Sequence, residues 1–224
     1  MYDTLHLCYN FVDNDRPNTD EIIYKLNEVS DVEFSGGSTC TYGNLDNLRV
    51  CVREGELTIK GSLPKYYYGN NFQTLSQKTT SEAIEKLSDD LNLDVNLCRV
   101  TRIDLSTNFI TTYKPNIYYD YLGNLKRFNR LENPHSIDYR QKSKKLLFYD
   151  KVIEAKKTQL QIPLEFQNKN VLRYEMELNL SVKKYLKLDK ITMQDLHGDS
   201  MYSRLVEEWY NFYNRIEKKP SKEI

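Results

Sequence analysis

Three stretches of this 224-residue chain alternate apolar and charged side chains at the period of a β-strand, and they restrict its fold more than any other feature. In Val100-Thr101-Arg102-Ile103-Asp104-Leu105, Arg102 and Asp104 share a face with Ser106 and Asn108, while Ile103 and Leu105 take the other. In Leu172-Arg173-Tyr174-Glu175-Met176-Glu177-Leu178, Arg173, Glu175 and Glu177 oppose four apolar residues. In Leu146-Leu147-Phe148-Tyr149-Asp150-Lys151, Leu147, Tyr149 and Lys151 oppose Leu146, Phe148 and Asp150. Charges at alternate positions of apolar strands are costly to bury singly and tolerable where opposite signs meet. The three segments are therefore expected to be neighbours in one sheet, their polar faces converging on a single site.

The expected fold class is α+β, a central antiparallel sheet flanked by helices. Further strands are expected at Thr4 to Phe11, at Leu48–Val52 and Leu57–Ile59 around a Glu54-Gly55 turn, and at His135–Tyr139 as hairpin partner of the Tyr149 strand. Asn18 with Glu21 reads as a helix start whose stripe runs through Ile22, Ile23, Leu26 and Val29, and Thr79 with Glu82 as another. Pro115 opens a short helix stopped by Gly123, and Ser181 starts another. Ser35-Gly36-Gly37-Ser38 and Tyr42-Gly43-Asn44 read as turns, and Gly61 to Asn71 as an aromatic-rich loop that packs or stacks bases. Tyr202, Leu205, Trp209, Phe212 and Ile216 mark an amphipathic C-terminal helix. Residues 1–190 are expected to form the main domain, with that helix and a frayed tail over 191–224.

No apolar run reaches membrane-spanning length and no signal peptide opens the chain, so the expected location is cytoplasmic. The four cysteines lack a CxxC pair and read as small reduced core residues. Lys+Arg and Asp+Glu balance at 32 each, but residues 99 to 190 hold 19 basic and 10 acidic side chains. Arg140, Lys142, Lys144, Lys145, Lys151, Lys156 and Lys157 bracket Tyr149, which fits either a phosphate backbone or a solvated basic hairpin.

These residue types suit the cutting and rejoining of a DNA strand. A tyrosine nucleophile stores the phosphodiester bond as a phosphotyrosine, and a phenol of ordinary pKa, about 10, needs activation by a divalent cation and adjacent positive charge. Carboxylates are hard ligands for Mg2+ or Mn2+, and Asp104, Glu175 and Glu177 supply them, with Glu154 as a fourth. Arg102 and Arg173, with Lys142, Lys144 and Lys145, are the residues expected to hold DNA. The alternative is an ion-pair ladder, Arg102 with Glu175 and Asp104 with Arg173, that stabilises without catalysing. The GxxxxGK[ST], GxSxG and HExxH motifs are all missing.

Met1-Tyr2-Asp3-Thr4-Leu5, Gly61-Ser62-Leu63-Pro64-Lys65 with Gly69-Asn70-Asn71, and the Arg102, Tyr149 and Arg173 segments occur in an order that resembles the filamentous-phage gene II/X replication initiators. The R-x-D-L, Y-D-K and R-x-E-x-E-L elements are also similar to those of staphylococcal-type plasmid rolling-circle initiators. The resemblance implies a site-specific endonuclease and strand transferase that nicks an origin, keeps the 5′ phosphate and leaves a 3′ hydroxyl for host replication machinery. It further implies Tyr149 as nucleophile, Asp104, Glu175 and Glu177 as metal ligands, and Arg102, Arg173 and Lys151 at the phosphate. The implied fold is related to the histidine-dependent nickases, whose His-hydrophobic-His pair this chain lacks, so metal binding falls to carboxylates. Rival readings are a plasmid mobilisation relaxase and a non-catalytic origin-binding or single-strand-binding regulator.

Overall fold

The computed structural model describes residues 1–34, 37–178 and 182–220, the side chains of Lys183 and Lys184 excepted. Ten strands are described: β1 (Tyr2–Asn10), β2 (Asn27–Glu33), β3 (Thr39–Leu45), β4 (Leu48–Val52), β5 (Glu56–Ser62), β6 (Arg99–Thr111), β7 (Asn129–Asn133), β8 (Ser136–Gln141), β9 (Lys144–Asp150) and β10 (Asn170–Leu178). They form one sheet in the order β2-β3-β4-β5-β1-β6-β10-β9-β8-β7, antiparallel at every junction. The helices are α1 (Thr19–Tyr24), α2 (Leu63–Tyr68), α3 (Gln77–Leu91), α4 (Pro115–Tyr119), α5 (Lys151–Lys157), α6 (Val182–Leu186), α7 (Met193–His197) and α8 (Asp199–Arg215).

The three interrupted strands, β6, β10 and β9, lie side by side as their patterning requires. Their register sets three cross-strand rows on the polar face: Asn108, Arg173 and Tyr149; Ser106, Glu175 and Leu147; Asp104, Glu177 and Lys145. The opposite face contributes Ile103, Leu105, Leu146, Phe148, Tyr174, Met176 and Leu178 to the main core. The C-terminal helices cover that face. Tyr2 donates its hydroxyl to the carbonyl of Leu196 in α7 and meets Tyr202 of α8 edge to face, and Tyr174 donates to the carbonyl of Trp209. Helix α5 sits on the polar side, where Ala155 packs with Val171 and Phe72.

Several local expectations hold. Asn18 accepts from the amide of Glu21, Glu54-Gly55 joins β4 to β5, and β8 pairs with β9. Others are corrected. Helix α1 ends at Tyr24, and Val29 lies in the exposed edge strand β2, because Asn27 to Glu33 find backbone partners along β3. Gly43 is inside β3 rather than in a turn; a β-carbon there would come within 2.6 Å of the Leu26 β-carbon, so the glycine permits a close approach. Ser62 caps α2, with Pro64 in its first turn and Gly69 left-handed at its end, so the aromatic segment is a helix that buries Tyr66. Ser76, not Thr79, caps α3, with Thr79 as the reciprocal partner. A 3-10 turn at Val95–Leu97 precedes β6, and α4 ends at Tyr119, before Gly123. Cys40 and Cys51 are disulfide-bonded across β3 and β4, while Cys8 and Cys98 are buried thiols, so the reading of four reduced cysteines is corrected for one pair. The start at Ser181 and the first two residues of the Ser35–Ser38 turn, Ser35 and Gly36, lie outside the described residues.

Candidate active site

Tyr149 sits near the end of β9, its phenol donating to Glu175 Oε2 at 3.3 Å. Burial pushes the phenol pKa well up; the Arg173 charge opposes this and Glu175 adds to it. The phenol is therefore protonated at rest, and Glu175 is the acceptor already in place. Burial also raises the Glu175 carboxyl, against the pull of Arg173. A cavity of about 380 Å³ opens beside this pair, lined also by His135, Asp138, Asp150, Glu154 and Lys157.

Glu175 is fixed by Arg173, whose Nε donates to Glu175 Oε2 at 3.0 Å. The same guanidinium donates to Asp3, to the Asn71 carbonyl at 3.1 Å and to Asn108 Oδ1 at 3.3 Å. With 1% of its surface exposed, Arg173 faces protein on every side. A DNA phosphate would have to displace one of these acceptors, so the geometry gives Arg173 a positioning role. Asp3, itself held by the Ser62 hydroxyl at 2.5 Å, escaped the sequence reading. Its signals are its place in the Met1-Tyr2-Asp3-Thr4-Leu5 element and a charge at the start of β1.

Arg102, Asp104, Glu177 and Lys145 form a second cluster two rows away. Arg102 binds Asp104 through Nε at 2.9 Å and Nη2 at 2.6 Å, and reaches Glu177 at 3.4 Å. Lys145 lies 3.5 Å from Glu177 and 3.9 Å from Asp138. Asp104 is fully buried. Burial pushes its carboxyl up to about 7, with the Arg102 hydrogen bonds pulling down and the Glu175 and Glu177 charges pushing up. Ion pairs do run along this face, with partners other than the cross-strand ones expected: Arg102 takes Asp104, and Arg173 takes Asp3 and Glu175.

The remaining sequence candidates scatter. Lys151 is fully buried, donates to Glu154 Oε2 at 2.5 Å, and sits 5.3 Å from the Phe72 ring centre. Burial lowers its pKa, as does the Arg173 charge, while Glu154 opposes them. It is not among the cavity's lining residues, where the exposed Lys157 stands instead. Asp150 caps α5, accepting from the amides of Val152 and Ile153. Lys144 is on the opposite sheet face, 4.0 Å from the Tyr185 ring centre and 4.6 Å from that of Phe212. Lys142 is exposed in the turn between β8 and β9. The basic run is thus divided between the two faces by strand alternation.

The expected metal ligands divide as well, Glu154 and Glu175 lining the Tyr149 cavity and Asp104 and Glu177 lying around Arg102. Carboxylates outnumber cations around the cavity, and hard oxygens are the right donors for a divalent ion. Among the described residues, no three of His, Cys, Asp or Glu are grouped so that they could hold an ion. No helix is long and apolar enough to cross a membrane, among the described residues.

Compared with known proteins, residues 1–204 match a family model that describes the N-terminal region of the replication-associated gene II protein of phages. No curated protein matches the chain.

Proposed function

Because the chain belongs to this replication-associated family, the gene II type of phage replication initiators, we propose that it nicks and rejoins a DNA strand through Tyr149. The observation that carries this reading is a phenol hydrogen-bonded at 3.3 Å to a buried carboxylate, beside a cavity open to substrate. In the cleavage step the Tyr149 oxygen bonds to phosphorus as its proton passes to Glu175. The bond from phosphorus to the 3′ oxygen breaks, and that oxygen leaves as a hydroxyl after taking a proton from solvent. The 5′ phosphate stays on the tyrosine. Rejoining reverses these transfers, so the phosphodiester bond is conserved and no energy source is consumed.

A carboxylate whose pKa is raised by burial is a better base for a phenol than a solvated one, because the two pKa values are less far apart. Arg173 keeps that carboxylate aimed. Lys157 lines the cavity that would admit a phosphate, and Lys145, Arg102 and Lys142 extend the positive track. Lys151 acts through Glu154. The proposal retains a divalent cation, Mg2+ or Mn2+, which when bound would offset charge on the phosphoryl oxygens. Asp104 and Glu177 could take it only by releasing Arg102, and Glu154 only by releasing Lys151. The likeness to histidine-dependent nickases, a cytoplasmic location and a role with host replication machinery belong to this same reading.

The test is to incubate the protein with labelled single-stranded oligonucleotides spanning the replicon's origin, with and without Mn2+ or Mg2+, and to look for a labelled band that survives denaturation. The expected result is an adduct that Tyr149→Phe abolishes. Tight binding with no adduct under either metal would favour the regulator reading instead.

A further inference from the structure

The sheet face opposite Tyr149 carries an aromatic groove between α4 and α8. Phe148 and Tyr174 stack at 4.4 Å with planes 2° apart, and Tyr174 continues onto Trp209 at 4.6 Å. Phe109 lies parallel to Trp209 within 17°, at 6.4 Å. These rings border a cavity of about 450 Å³, within the usual range for small-ligand pockets. A second cavity of about 360 Å³ shares Tyr118, Phe148, Leu172 and Tyr213 with the first, so the two run together as one trench, with Lys218 lining the second.

Three observations say what this trench would take. Its walls offer ring faces and no charged group along the larger cavity, which excludes a phosphate or carboxylate as the group bound there. Phe109 is 42% exposed and Tyr210 56%, so flat apolar surface is presented rather than consumed by packing. The indole N–H of Trp209 is buried with no hydrogen-bond partner among the described residues, a donor that an edge acceptor reaches only once the ring shifts. A flat, uncharged heterocycle with acceptors on its edge matches all three. Position narrows the choice further. Phe148 borders the groove and the next residue, Tyr149, the cleavage cavity, so the two sites lie back to back across one end of β9.

We propose that this groove binds unpaired nucleobases of single-stranded DNA by stacking, holding the strand on the sheet face behind the cleavage cavity. Its identification as a base site, rather than a site for another heterocycle, rests on the DNA-processing role proposed above.

Trp209 is the one tryptophan in the sequence, so its emission reports on the groove alone. The full chain is titrated with a short oligothymidylate and, separately, with an abasic chain of the same length. The expected result is quenching by the first and not by the second. Tyr210→Ala, a substitution at an exposed position, should weaken the oligothymidylate about 5-fold or more, the usual loss for one stacked ring. Tyr149→Phe should leave the quenching intact. No quenching, or equal responses to both chains, overturns the proposal. So does emission that shifts with protein concentration before DNA is added and then ignores it, since a second copy would be covering the groove. An adduct at Tyr149 without quenching sinks the groove and spares the nickase; quenching without an adduct does the reverse.

Discussion

The two faces of the sheet around β9 and β10 are built from alternate residues of the same strands, yet they solve burial in opposite ways. One face stacks Phe148 on Tyr174 and Trp209 and leaves the Trp209 indole N–H without a partner among the described residues. The other buries Arg173, Asp104, Glu175 and Lys151, which is expensive unless each charge is paired and hydrogen-bonded. Replacing buried ion pairs by well-packed apolar residues is often neutral or stabilising, so the charged face is difficult to explain by stability alone. The contrast teaches that β10 is organised for positioning: Asp3 and Asn71 hold Arg173, Arg173 holds Glu175, and Glu175 holds the Tyr149 phenol.

That comparison can be broken in order of expected effect. Glu175→Gln keeps the shape and removes the base, and strand cleavage should fall about 10²- to 10⁴-fold while DNA affinity changes little; single-turnover cleavage beside a binding titration checks this. Near-normal cleavage would make the buried carboxylate a structural partner only. Arg173→Met leaves Asp3 and Glu175 as uncompensated buried charges and should destabilise the fold by about 3–5 kcal/mol in urea unfolding. A loss below about 1 kcal/mol would mean that this face is more hydrated than its geometry implies.

Asp104 gives a pH-dependent contrast. Its folded pKa, about 7, lies above the unfolded value, so the folded state holds the extra proton between roughly pH 4 and pH 7. Its contribution to stability is therefore largest at low pH and declines as pH rises through that window. Asp104→Asn should flatten this part of the stability profile, measured by thermal unfolding at a series of pH values. The smallest effect separates neighbours. Lys145→Ala should weaken DNA binding and lower its salt slope by about one unit. Lys144→Ala, on the far face, should cost about 0.5–2 kcal/mol of stability through its lost ring contacts and leave that slope alone.

Much of this was readable from alternation. Period-2 patterning placed Arg102 and Asp104 on the polar face of β6 and Glu175 and Glu177 on that of β10, and strong caps such as Asn18 marked their helices. What escaped was long-range or context-dependent. Nothing local tells that Asp3 meets Arg173 across 170 positions of sequence, or that Arg102 turns to Asp104 on its own strand. Val29 fits a helical stripe until β3 offers Asn27 to Glu33 a ladder. Lys144 and Lys145 look equivalent in a basic run, and only the pleat of β9 sends them to opposite faces.

The most direct test of the central claim is to digest the covalent protein–DNA product and map the nucleotide mass onto a peptide. The account predicts the added nucleotide on the peptide that contains Tyr149. A nucleotide on the peptide of Tyr118, Tyr119, Tyr121 or Tyr139 would contradict it, and the phenol held by Glu175 would then be no more than a buried hydrogen bond.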